Sequence, residues 1–457
     1  MKFRGTFALF LILLVLGGWV YLTDVRDRDE RDAAEAAARL ILGGNASDIV
    51  GLRIVHPDRT VAAERIDDGW RFVSPEDYEA DSDAWDTVAG NVGRIDRDET
   101  VVTAPADLEQ YGLDPPVLRL GVDWADGRSE ELLFGDTNPQ RTFNYARLAS
   151  DDYVFLISAS WRSLFTKQAD DLRDRTILRF DQDATESILV TGDSELSLRR
   201  EGTGWRLDAP VRAAADPSRV STFLGGIDFA RAEGFAATDQ TDAELGLDPP
   251  RWTIRLSGPG LDHELRIGRT DGDQTAYFAR DASRSPRFRI DSQLADLLSA
   301  PLLAWRDKSI ASFEREGVSA IRIVSDDPEI DPEIDVRLEN AGPDWVFADD
   351  RGRVDPGAVS AMLSALEFGV ATGIIDDPGP LSAYGLDSPR LRIVLEGLPA
   401  AGPETPILDA VFGSDATDSD HIYFKRADQP AVWVVSKDVF DPFLAGRDDL
   451  QAIRDPE

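Results

Sequence analysis

The chain has 457 residues, of which 85 are acidic and 49 basic, giving a net charge of −36, with 42% hydrophobic residues and no cysteine. At about 150 residues per domain this length suggests about three domains, and the apolar content with ten tryptophans excludes extended disorder. The charge repels nucleic acid and anionic headgroups, and the lack of cysteine excludes disulfides, zinc–thiolate sites, iron–sulfur clusters and thiol nucleophiles.

At the amino terminus Lys2 and Arg4 precede an apolar run from Thr6 to Leu22. As a helix this run spans roughly 25 Å, enough for a bilayer core. Trp19 and Tyr21 stand at its far end, where amphipathic rings prefer the headgroup level. No Ala-x-Ala pattern follows, so residues 1–23 read as an uncleaved transmembrane signal anchor. The short basic head favours a cytoplasmic amino terminus and export of the remainder, against the pull of Arg26, Arg28 and Arg31 beyond the run. The expected location is the inner membrane, single-pass, with the bulk of the chain periplasmic. Residues 24–46, rich in Ala, Glu and Arg, read as a helical stalk that Gly43, Gly44 and Asn45 stop.

Beyond the stalk the chain repeats itself. The turn "YGLDPP" (Tyr111 to Pro116) returns as "LGLDPP" (Leu245 to Pro250) and "YGLDSP" (Tyr384 to Pro389). About forty residues before each turn stands a tryptophan: Trp70, Trp205 and Trp345. After each come a strand-closing glycine (Gly135, Gly268, Gly413), an aromatic strand with arginine (Arg147, Arg280, Arg426) and a charged tag ("LRDR" at Leu172, "WRDK" at Trp305, "GRDD" at Gly446). The period of about 135 to 140 residues exceeds that of short solenoid repeats, so these are repeated domains, at residues 47–176, 177–311 and 312–457.

Within a copy the elements follow one order: strand, strand, helix, turn, several strands, helix. Asp216-Pro217 and Asp355-Pro356 open helices with stripes Val220, Phe223, Leu224, Ile227 and Val359, Met362, Leu363, Leu366. The first copy uses Trp85, Val88, Val92 and Ile95. After the turn, Leu118, Leu120, Val122 alternate with polar residues, as do Trp252, Ile254, Leu256 and Leu391, Ile393, Leu395, the pattern of a half-buried antiparallel strand. Ser158, Asp291 and Ser436 are expected to cap a second helix. The fold class is α+β: three tandem copies of an antiparallel-sheet-plus-helices module after an N-terminal transmembrane helix.

The turn residues themselves suit a rigid corner. Gly112, Gly246 and Gly385 permit a left-handed backbone, Asp114, Asp248 and Asp387 bond following amides, and proline ends pairing. Leu113, Leu247 and Leu386 are expected to plug the core. The tryptophans, recurring at one position, read as packing rather than ligand stacking.

Chemistry is sparse. The three histidines, His56, His263 and His421, fall at different places in their copies. No phosphate loop, zincin motif or nucleophile elbow is present, so no catalytic residue and no cofactor is assigned. Asp415, Asp418 and Asp420 in "DATDSD" are weak candidates for a hard cation, and "DPEIDPEID" (Asp327 to Asp335) reads as an exposed loop insertion.

A single anchor followed by tandem copies of "YGLDPPxLxL", a later "FG" or "IG" strand end and an aromatic–Arg strand resembles the bacterial domain-of-unknown-function family 4340. The resemblance covers almost the whole chain after the stalk. It implies a membrane-anchored protein found beside permease and ATPase components of ABC transporters similar to those of gliding-motility systems. Leu245 in place of tyrosine and Ser388 in place of the first proline depart from the pattern. The function expected is a non-enzymatic extracytoplasmic accessory protein with a transporter subunit or cargo as partner and no nucleic acid. The alternatives are an envelope-polymer or carbohydrate-binding protein and an extracytoplasmic hydrolase using a carboxylate pair.

Overall fold

The computed structural model describes residue 13 and residues 34–451, except 77, 274, 326, 329, 331–333 and 398–405. The expected membrane-spanning run, Leu13 apart, lies outside the described residues. Among the described residues no helix is long and apolar enough to cross a membrane.

The first copy runs β1 (Ile49–Val55), β2 (Thr60–Ile66), β3 (Gly69–Ser74), α1 (Ser82–Val92), β4 (Thr100–Thr103), β5 (Leu118–Trp124), β6 (Ser129–Thr137), β7 (Phe143–Leu148), β8 (Tyr153–Ser158) and α2 (Ala159–Phe165). Its sheet is antiparallel, in the order β3-β2-β1-β5-β6-β7-β8-β4. The chain leaves β3 on one edge and re-enters as β4 on the other, so α1 must cross the whole sheet. That crossing explains its apolar stripe: Trp85, Val88, Ala89 and Val92 are all buried. The Asp81 carboxylate accepts from the Ala84 amide (3.0 Å) and starts the helix.

The second copy repeats this order as β9 (Ser187–Thr191), β10 (Leu196–Glu201), β11 (Gly204–Ala209), β12 (Ala213–Ala214), α3 (Pro217–Asp228), β13 (Gly234–Phe235), β14 (Trp252–Gly258), β15 (Leu261–Thr270), β16 (Ala276–Asp281), β17 (Phe288–Asp291) and α4 (Gln293–Leu298), with sheet order β12-β11-β10-β9-β14-β15-β16-β17-β13. The third has β18 (Val318–Ser325), β19 (Ile334–Asn340), β20 (Trp345–Phe347), α5 (Pro356–Glu367), β21 (Ala371–Ile375), β22 (Leu391–Gly397), β23 (Leu408–Asp415), β24 (His421–Arg426), β25 (Val432–Ser436) and α6 (Lys437–Phe440), in the order β20-β19-β18-β22-β23-β24-β25-β21. Asp216 and Asp355 cap their helices with a first-turn proline behind them, as the sequence predicts.

Each copy is mostly sheet, with fewer helical residues than the α+β expectation implies. Three strands, not two, precede the crossing helix, four in the second copy where β12 is added, and a short edge strand follows it. These edge strands, and β12, are two to five residues long and carry no alternation to betray them. The strand after the turn is central and alternates as expected: Leu118, Leu120 and Val122 are buried while Arg119 is exposed. The face opposite the helices carries rows of arginine–carboxylate pairs, among them Arg255–Glu264, Arg392–Asp409 and Arg337–Glu396. An antiparallel sheet with one packed and one solvated face gives that division.

By compactness the chain divides into two units, one of residues 1–177, 231–240 and 284–290, the other of residues 178–230, 241–283 and 291–457. In the first unit Leu42 is buried in the core and Arg128 donates to its carbonyl (3.2 Å), so the chain is packed before β1 begins.

Candidate functional site

The recurrent corner is built alike three times. Gly112, Gly246 and Gly385 have φ of 64°, 67° and 64°, the left-handed region that glycine enters without penalty. Leu113, Leu247 and Leu386 are buried as plugs. Asp114–Pro115 and Asp248–Pro249 are cis peptides, and in the third copy Asp387 is followed by Ser388 instead. The later glycine explains itself here. A Cβ on Gly135, Gly268 or Gly413 would lie 2.2, 2.3 or 2.1 Å from the carbonyl oxygen of Tyr111, Leu245 or Tyr384. The turn therefore lies directly on the strand that pairs with the strand it launches.

Strand register also explains the tyrosine. Phe134 pairs with Ala146, Ile267 with Ala279 and Phe412 with Phe424, which makes Tyr145, Phe278 and Tyr423 equivalent. Tyr111 meets Tyr145 edge-on at 5.1 Å and Tyr384 meets Tyr423 at 4.9 Å. The second copy puts Leu245 and Phe278 at the same two positions, so no ring pair forms there, and both side chains are buried. The same register corrects one landmark. Lys425, not Arg426, is the counterpart of Arg147 and Arg280, because Phe424 is the residue in the alanine position.

A second correction concerns the tags. The Asp81, Asp216 and Asp355 amides donate to the carbonyls of Leu172, Trp305 and Leu450, each at 2.9 Å. The counterparts of Arg173 and Arg306 is thus Gln451 in the third copy, and "GRDD" is not the third tag. Arg447 instead pairs with Asp349 and Asp350. The Arg447-Asp448 dipeptide stands a few residues before the true position and mimics the tag in letters alone.

The tryptophans occupy equivalent places, opposite Arg65, Arg200 and Asn340. Arg65 lies over Trp70 and donates to the Ile49 carbonyl, Arg200 lies over Trp205 and donates to that of Thr185, and Asn340 donates to that of Val318. Trp70 is buried, while Trp205 and Trp345 are half-buried. The Arg65, Arg200 and Asn340 side chains thus tie each hairpin to the segment at the start of its neighbouring strand.

Two of the three acidic candidates are engaged in pairs through their carboxylates. Asp415 accepts from Arg390 (3.3 Å) and Lys437 (2.8 Å), Asp418 bonds His421 Nδ1 (2.6 Å), and the Asp420 carbonyl accepts from the Lys437 amide (3.0 Å). Among the described residues no group of three or more carboxylates or histidines is placed to hold a metal ion. Asp327 accepts from Arg390 (2.7 Å), and part of the loop after it lies outside the described residues. The His56 ring is half-buried, and burial with the nearby Arg59 guanidinium holds its pKa below the usual histidine range.

Sequence reasoning missed a cluster in the first unit. Arg284 donates to both Glu79 oxygens, to Asp174 (2.7 Å) and to the Thr176 carbonyl (2.6 Å). Beside it the Arg173 guanidinium is sandwiched between the rings of Tyr78 (3.7 Å) and Phe235 (3.5 Å). Glu79 and Arg284 are 205 positions apart in the chain, and no local pattern links them.

The fold and its shared corner define a protein of tandem antiparallel-sheet modules. Three stretches, residues 70–250, 205–371 and 345–452, match the family described as Domain of unknown function (DUF4340), each beginning on one of the repeated tryptophans. The chain belongs to this family. No curated protein matches it. A solved structure of the DnaN sliding clamp (DNA polymerase III subunit beta) from Pseudomonas aeruginosa bound to griselimycin aligns over 88% of this chain and 94% of that one at 8% identity, with a TM-score of 0.12, and carries no argument here.

Proposed function

We propose that this protein is a non-enzymatic, membrane-anchored accessory protein whose three modules stand outside the cytoplasmic membrane and bind a subunit or cargo of an ABC-type transporter. One observation carries the reading: a constant frame presents divergent tips. The residues common to the copies hold the corner, through the glycine-to-carbonyl contacts and the leucine plugs. At the first hairpin, by contrast, the copies carry His56-Pro57-Asp58-Arg59, then Gly192-Asp193-Ser194-Glu195, while in the third Ser325 ends β18 and Asp327 follows it. Stable elements that position variable loops are a common basis of recognition. The chain's strong negative charge favours a partner with a basic face.

The test is affinity purification of the full chain from gently solubilised membranes. Recovery of permease and ATPase subunits, reduced by charge reversal at one hairpin tip, is the expected result. Repeated recovery of the protein alone would overturn the proposal.

A further inference from the structure

In one of the three copies the first hairpin borders a cavity. In the second unit a notch of about 190 Å³ lies between the β9–β10 hairpin, the Pro210 loop and the chain after α4. Two of its walls, Trp252 and Trp305, are almost wholly buried. In the frame of the repeat these are leucine positions: Leu118 and Leu391 stand where Trp252 does, and Leu172 and Leu450 where Trp305 does. The hairpin residue beside them is Gly192, where the other copies have His56 and Ser325. A Cβ on Gly192 would lie 2.2 Å from Trp252 Cδ1 and 3.0 Å from its Nε1, so only glycine lets the indole edge, with its Nε1, pack against the hairpin.

We infer that this notch binds one neutral sugar ring. Its volume equals about six water volumes, the size of a single hydroxylated six-membered ring. Its lining pairs apolar walls (Val190, Leu196, Leu302) with carboxylates (Asp193, Glu195) and a hydroxyl (Ser299). Neither indole N–H has a hydrogen-bond partner among the described residues. Arg251 lies over Trp252 (4.0 Å) and pairs with Asp193 (3.6 Å), so one carboxylate is already partly neutralised. The indole donors decide between ligand classes. A hydroxyl both accepts from an N–H and donates to a carboxylate, whereas an organic ammonium, quaternary or not, offers no acceptor and would leave the indole donors unpaired. This inference goes beyond the accessory role and can fail without it.

The test is saturation-transfer NMR and calorimetric titration of the full chain in a detergent without a sugar head. The probes are common neutral hexoses, N-acetylhexosamines, their methyl glycosides, and tetramethylammonium. Saturable binding of at least one sugar is expected, and Trp252→Phe, which keeps the ring and removes the donor, should weaken it about tenfold. Ser194→Tyr, at the exposed tip where folding is not at risk, should abolish it. Glycosides binding as well as free sugars would place a glycan end in the notch; binding of free sugars alone would place a free sugar there. Saturable binding of tetramethylammonium only, no saturable binding of any sugar, or sugar binding indifferent to Ser194→Tyr would overturn the inference.

Discussion

Replacing Gly268 by alanine tests the corner more sharply than any other single change. The glycine has ordinary backbone angles, so alanine by itself would stabilise the chain by about 0.4–1 kcal/mol through a less flexible unfolded state. Against this, the new Cβ would sit 2.3 Å from the Leu245 carbonyl oxygen and 2.9 Å from atoms of Gly246. An ordinary carbon–oxygen contact is about 1 Å longer, and the obstructing atoms are backbone held in a left-handed turn, not the end of a side chain. Overpacking of this kind costs about 1–3 kcal/mol, so the predicted net loss is about 1–2 kcal/mol. Gly135→Ala and Gly413→Ala should behave alike, with contacts of 2.2 and 2.1 Å. Gly225→Ala, inside α3 with nothing within 4 Å, is the control and should stabilise by up to about 1 kcal/mol. Urea unfolding midpoints give the stabilities, and hydrogen exchange of peptides from each copy assigns them. A neutral or stabilising effect at Gly268 would refute the argument, because the sign itself depends on the turn lying on that strand.

Arg284→Met leaves Asp174 and Glu79 without their shared cation and should cost about 3 kcal/mol in the first unit; adding Glu79→Gln and Asp174→Asn should recover part of the loss, and urea midpoints that do not rise with the added changes would contradict it. Hydrogen bonds from Arg255, then Arg266, outweigh burial and hold the Glu264 carboxyl below its usual range. A depressed folded-state pKa stabilises above the unfolded value and is lost as pH falls through the folded one, so wild type should lose up to about 1 kcal/mol more than Glu264→Gln on acidification below pH 4.5, as read from unfolding curves at successive pH values. Phe229 and Phe368 sit largely exposed at the ends of α3 and α5, and replacing either by serine should shift stability by less than about 0.5 kcal/mol in thermal or urea melts.

The repeat, the corner and the crossing helices were legible in the chain because they rest on local chemistry. A glycine that turns left-handed, an aspartate ahead of a proline and a stripe at helical spacing each act over a few neighbouring residues. Repetition then separated them from chance. What local chemistry could not supply was register and partnership. Lys425 and Gln451 take positions that Arg426 and "GRDD" seemed to own, because equivalence is set by which residue faces which across the sheet, not by matching letters. The reason for Gly135, Gly268 and Gly413 was likewise invisible until the turn was laid on its strand. Arg284 with Glu79, and Trp252 with Trp305 beside Gly192, are brought together only when strands distant in the chain close into sheets. Sequence alone thus determined the copied unit and its turns, while tertiary packing decided which distant side chains became clasps, plugs and walls, since those energies depend on proximity in space.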